Sequence, residues 1–178
     1  MIFLRFKHKK MKRKTILLSI IGLALVNMIY SQRLSKEDVL GSYVLKEINY
    51  IYADTTINVN PSQDGFLILS PLRYTIAYNP GLNPRVSFQN LSNPTEEEIL
   101  AGFKSFAFNG GSYEFENDVF TAHPDFAKVP GFEGGEQVYE VKQEGNLFVL
   151  TMFDETYPSG EKPSWYGNLK ISLSFQKE

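Results

Sequence analysis

His123 is the residue of this chain best suited by type to proton transfer. Its ordinary pKa lies near neutrality, and the only other histidine, His8, sits in a basic N-terminal stretch. A general base needs a nucleophile or an orienting partner beside it. The positions around His123 offer none, so a histidine hydrogen-bonded at the end of a strand is the simpler reading. Carboxylates are plentiful: Glu96-Glu97-Glu98, Glu114, Glu116, Asp154 and Glu155. Paired carboxylates can cleave glycosides, but nothing in this spacing brings two of them around one substrate. Glu96 to Glu98 open a helix, where the dipole favours negative charge, and Asp118 belongs to a turn. No run of oxygen-bearing residues around a glycine makes a calcium loop. The absence of cysteine removes thiol nucleophiles and thiolate metal sites, and one histidine outside the leader cannot build an imidazole site. Gly110-Gly111 and Gly134-Gly135 lack the strand-to-helix setting of a phosphate loop and read as turn or bulge glycines. On these grounds no catalytic residue, metal ligand or cofactor is assigned.

The aromatic residues are more informative. The chain holds ten tyrosines and fourteen phenylalanines. Tyrosine joins an apolar body to a hydroxyl tip, which suits a mostly apolar cavity with a few orienting polar groups. For any single aromatic, core packing is the simpler role. Trp165 and Tyr166 either rim a binding site or lead into the last strand.

The elements that must carry these residues are mostly strands. A short turn of helix over Leu34 to Leu40, capped by Ser35, precedes an extended run from Tyr43 to Tyr52 rich in β-branched and aromatic residues. Phe66 to Leu69 and Leu72 to Tyr78 follow, the latter with Leu72, Tyr74, Ile76 and Tyr78 on one face. A long loop from Asn79 to Pro94 leads to the one convincing helix, Thr95 to Phe103. Thr95 caps it, Glu98 completes a capping-box pattern, and Ile99, Leu100 and Phe103 are expected to face the protein. Ser112 to Phe115 and Val119 to His123 form a hairpin through Glu116-Asn117-Asp118. A loop from Pro124 then leads to Gln137 to Lys142, Leu147 to Met152 and a last strand from Gly167 to Gln176. Short strands in sequence, with no strand–helix–strand rhythm, predict an all-β, antiparallel, up-and-down barrel of about eight strands with one short mid-chain helix.

Ahead of these elements lies a leader. Arg5, Lys7, Lys9, Lys10, Lys12, Arg13 and Lys14 precede an apolar run from Ile16 to Val26 and a more polar stretch ending at Ser31, the pattern of an export signal. The run is shorter than the roughly 20 residues a spanning helix needs. Residues 1–31 are therefore expected to be a signal peptide cut after Ser31, leaving a domain of residues 32–178 in the periplasm or outside the cell, with no stable membrane span. Loss of the leader takes the formal charge from −2 to about −9, which repels nucleic-acid backbones and anionic surfaces. No nucleic-acid partner is expected, and oligomeric state is not encoded in any pattern here.

From Phe108 to Leu150 the chain resembles the bacterial lipocalin-like domain family. The likeness rests on Gly111-Ser112-Tyr113, then Val119 and His123, then Pro130, Gly134 or Gly135, Gln137 and the strand through Tyr139, closing with Leu147, Val149 and Leu150. Gly41-Ser42-Tyr43 is similar to the opening Gly-x-Trp of lipocalin barrels, with tyrosine in place of tryptophan. Gly65, Leu67, Leu69, Ser70 and Tyr74 resemble the second and third strands, and Leu173 to Lys177 the closing one. Val138 stands where the family commonly has arginine. The resemblance implies a barrel with an interior cavity and a small hydrophobic ligand, with Tyr43, Tyr74, Tyr113, His123, Gln137 and Tyr139 as its expected contacts. Two alternatives stay open: an isomerase or cyclase using His123 as acid or base on an apolar substrate, and a filled barrel serving as an interaction module.

Overall fold

Period-two alternation of apolar and polar residues produces nine strands among the described residues. They are β1 (Gly41–Tyr52), β2 (Thr56–Val59), β3 (Phe66–Leu69), β4 (Arg73–Tyr78), β5 (Ala107–Glu116), β6 (Val119–Ala127), β7 (Glu136–Glu144), β8 (Leu147–Thr156) and β9 (Leu169–Lys177), with helix α1 (Glu96–Lys104) between β4 and β5. The structure is a computed structural model and describes residues 33–178. The leader and its cut after Ser31 lie outside the described residues. Leu34–Glu178 form one compact unit.

From β3 onward each strand pairs antiparallel with the next, and β9 returns to β1 to close the sheet. β2 pairs with Ile48–Ile51 and β3 with Gly41–Val44 on the same edge of β1, so these short strands share one position of the wall. The result is a closed barrel of eight strands plus one extra, as the alternation predicts. Closure satisfies the backbone groups that an open sheet would leave at its edges. The seam is long, running from Tyr43 opposite Lys177 to Tyr52 opposite Leu169.

Three bulges set which side chains face inward. Lys46 on β1, Asp125 on β6 and Phe153 on β8 each have no partner opposite them in the register. Each extra residue flips the inward parity beyond it. The β6 bulge explains why that strand runs through Pro124, where the sequence reading expects a loop. Proline has no N–H to give a ladder, and a bulge asks for none. Gly111 makes room for it: a Cβ there would sit 2.0 Å from the His123 carbonyl oxygen.

The end of the barrel where β1, β4, β6 and β8 begin is here termed lower, and the opposite end upper. In the lower half, Tyr43, Leu45, Leu67, Leu69, Tyr74, Tyr113, Phe115, Phe120, Phe148 and Phe175 belong to one buried cluster. Phe120 lies at its centre, stacked on Tyr113 and edge-on to Tyr74 and Tyr139. Burying a side chain of this size stabilises the fold by about 1.5–3 kcal/mol. The segment before β1 plugs this end: Val39 is buried, and its carbonyl accepts a hydrogen bond from the Tyr43 hydroxyl at 2.7 Å. Asn117 and Asp118 turn β5 into β6 with positive φ at both positions, as a two-residue hairpin turn requires.

α1 forms as the sequence predicts, with Thr95 and Glu98 completing a capping box. Its packing does not follow the prediction. No residue of α1 is buried, and Ile99, Leu100 and Phe103 are all exposed. Side-chain ties hold the helix to the rest: Lys128 lies over the Phe103 ring, and Gly102 packs closely on Phe88.

Candidate functional site

The upper end differs because the strands there are joined by long connections. Between the start of β5, the end of β6 and the end of β8 lies an open cavity of about 510 Å³. Its walls are Phe108, Val129, Pro130, Phe132 and Tyr157, and Asn109, Gln137 and Glu155 also line it. A smaller space of about 60 Å³, lined by Tyr78, Tyr139, Met152 and Leu173, adjoins it and shares Ala107, Phe108, Asn109 and Gln137.

Strand parity delivers the polar residues to this place. Gln137 and Tyr139 are two apart on β7 and therefore share the inner face. Glu155 pairs with Gln137 across β7 and β8 because the bulge at Phe153 has shifted the inward set of β8 from Leu150 and Met152 to an odd-numbered residue. Asn109 enters from β5, just above the bulge between Gly110 and Gly111. The four side chains form one network. Gln137 Oε1 accepts from Asn109 Nδ2 at 2.9 Å and from the Tyr139 hydroxyl at 3.0 Å. Gln137 Nε2 donates to Glu155 Oε2 at 2.6 Å. This arrangement fixes the orientation of the Gln137 amide, since its oxygen faces two donors and its nitrogen faces the carboxyl.

Burial shapes the electrostatics. Desolvation pushes the Glu155 carboxyl above the usual carboxylate range, and the hydrogen bond from Gln137 offsets part of that rise. Burial likewise raises the Tyr139 hydroxyl well above its ordinary value, with Tyr78, Tyr74 and Glu155 adding to the rise, so it stays neutral and donates. Asn109 Oδ1 is buried and has no hydrogen-bond partner. Lys128 also lines the cavity. Its ammonium donates to the Phe106 carbonyl at 2.7 Å, and desolvation lowers its pKa.

The six contacts expected from the sequence separate into three places. Gln137 and Tyr139 belong to the network beneath the cavity. Tyr43, Tyr74 and Tyr113 lie in the filled lower half and do not line the cavity. The Tyr113 hydroxyl donates to the Ser70 carbonyl at 2.8 Å, burial raises the Tyr43 hydroxyl to about 12, and the Tyr74 hydroxyl is buried without a partner. His123 is on the outer face, because Phe120, Ala122 and Pro124 take the inward positions of β6. Its Nδ1 stands 3.8 Å from Glu136 Oε2, with both side chains part-exposed. Asn109 and Glu155 are the residues that sequence reasoning missed. Among the described residues, no group of three or more His, Cys, Asp or Glu side chains is placed to hold a metal ion, and no helix is long and apolar enough to cross a membrane.

No protein-family model matches this chain, and no curated protein matches it.

Proposed function

We propose that this protein is an exported, lipocalin-like carrier that holds a small, mostly apolar molecule at the upper opening of its barrel. The observation that carries this reading is the cavity itself: about 510 Å³, within the roughly 300–1,000 Å³ of small-molecule sites. It has aromatic walls and a hydrogen-bonded polar floor, the division of labour such sites use. The walls would supply affinity by burying apolar surface, and the floor would orient one polar group. Export rests on the leader pattern of residues 1–31.

The isomerase or cyclase alternative through His123 loses its base, since that imidazole faces away from the barrel interior. The test is native mass spectrometry of protein recovered from an exporting host. Lipid-like adducts that depart on denaturation are expected, and Phe132→Ala is expected to reduce them. A bare mass that persists after soaking in a mixed lipid extract would overturn the carrier reading.

A further inference from the structure

Resting on that reading of the upper cavity, we propose that its ligand is an apolar molecule bearing a protonated amine, seated between the Asn109 amide oxygen and the Glu155 carboxylate. The hydrogen-bond inventory of the floor points this way. Every donor atom of the floor already has a partner within the network: Asn109 Nδ2 and the Tyr139 hydroxyl on Gln137 Oε1, and Gln137 Nε2 on Glu155, each amide nitrogen keeping one further N–H. The floor atom left with no partner at all is an acceptor. Asn109 Oδ1 is buried without a partner. Glu155 takes its hydrogen bond on Oε2 and has no ion-pair partner among the described residues.

An ammonium offers three donors and a positive charge, so it can satisfy the orphaned amide oxygen and neutralise the carboxylate together. A hydroxyl offers one donor and no charge. A carboxylate or phosphate head would meet an acceptor and a like charge. Among the described residues, the one cation lining the cavity is Lys128, which is engaged with the Phe106 carbonyl and the Phe103 ring. The aromatic and proline walls above the floor would take the apolar body.

Three probes of equal chain length separate these heads: octylamine, octanol and octanoate. Each is titrated into the full-length protein near pH 7 while the side-chain amide NMR signals of Asn109 and Gln137 are followed. Octylamine is expected to bind about tenfold more tightly than octanol, with octanoate weakest. Glu155→Gln is expected to lower octylamine affinity about tenfold and to leave octanol within about twofold. A second readout needs no variant. Octylamine affinity in the parent protein is expected to fall as acid protonates Glu155, while octanol affinity stays level. The groups facing that carboxyl are Tyr78 on β4 and Tyr139 on β7, both held neutral by burial, with Lys128 beyond β6 lining the same cavity. Equal affinity for all three probes, or amine binding indifferent to both acid and Glu155→Gln, would overturn the head-group assignment while leaving the cavity as a ligand site. No amide shift with any probe would overturn both.

Discussion

The two ends of this barrel use the same residue types for opposite purposes. At the lower end two tyrosines are finished and a third, Tyr74, is sealed in without a partner: Tyr43 donates to Val39, Tyr113 donates to Ser70, and their rings pack on Phe148 and Phe120. At the upper end Tyr139 donates instead to another side chain, Gln137, which belongs to a network with an unmet acceptor beside an open cavity. A hydroxyl locked onto a backbone carbonyl adds stability to a wall. A hydroxyl in a side-chain network sets the polarity of a space that something else can enter. Residue type alone does not separate the two roles; the partner of the polar tip does.

The largest effect should come from the centre of the filled half. Phe120→Ala removes a fully buried ring from between three tyrosines and is expected to cost about 3–5 kcal/mol in urea unfolding. A cost below 1 kcal/mol would mean the lower half is not the packed plug described. Next is the pH dependence of the open half. Glu155 has a folded pKa above its ordinary value of 4.5, so the folded state binds more protons than the unfolded one across that interval. Stability is then greatest below the ordinary value and declines as pH rises through the folded one. Glu155→Gln should abolish that decline, measured as the difference between parent and variant unfolding curves over the same pH range. Parallel curves would contradict the placement of this carboxyl.

A finer test sets two tyrosines against each other. Tyr43→Phe orphans the Val39 carbonyl and is expected to cost about 1 kcal/mol. Tyr74→Phe removes a buried hydroxyl that has no partner and should be neutral or stabilising by thermal melting. Equal losses would erase the distinction. The smallest effect should be that of His123→Ala, whose part-exposed side chain on the outer wall predicts a change within about 0.5 kcal/mol and unaltered ligand uptake.

Much of the fold was legible because one-sided burial writes itself as alternation. The strand over Phe66–Leu69 and the α1 cap at Thr95 stand where the pattern puts them. β2 was missed because three of its four residues are exposed and it makes no pattern of its own. β5 and β6 run longer than expected because Gly110, Gly111 and Pro124 read as breakers, whereas together they build a bulge. The same device hid half the site. Gln137 and Tyr139 follow the alternation of β7, but Glu155 is out of phase with Met152 on β8, and only the extra residue Phe153 brings it inward. Asn109 falls between the helix ending at Phe103 and the strand expected from Ser112, where the alternation assigns no element. A bulge is a matter of register between two strands, and a single strand's sequence carries no trace of its partner's count. The α1 face departs from its pattern for another reason: its apolar spacing is real, but the helix rests on side-chain ties and leaves Ile99, Leu100 and Phe103 exposed.

The seam between β1 and β9 has a consequence for the order of events during synthesis. Every other pairing in the wall, even that of Arg73 with Ser112, is far shorter along the chain than this one, which joins Tyr43 to Lys177. Closing so long a loop carries the largest entropic penalty of any contact in the barrel. Until β9 has emerged, β1 keeps an unpaired flank and the curved sheet cannot lock. The sheet therefore stays an open ribbon until its two most sequence-distant strands meet, and the barrel closes as one event.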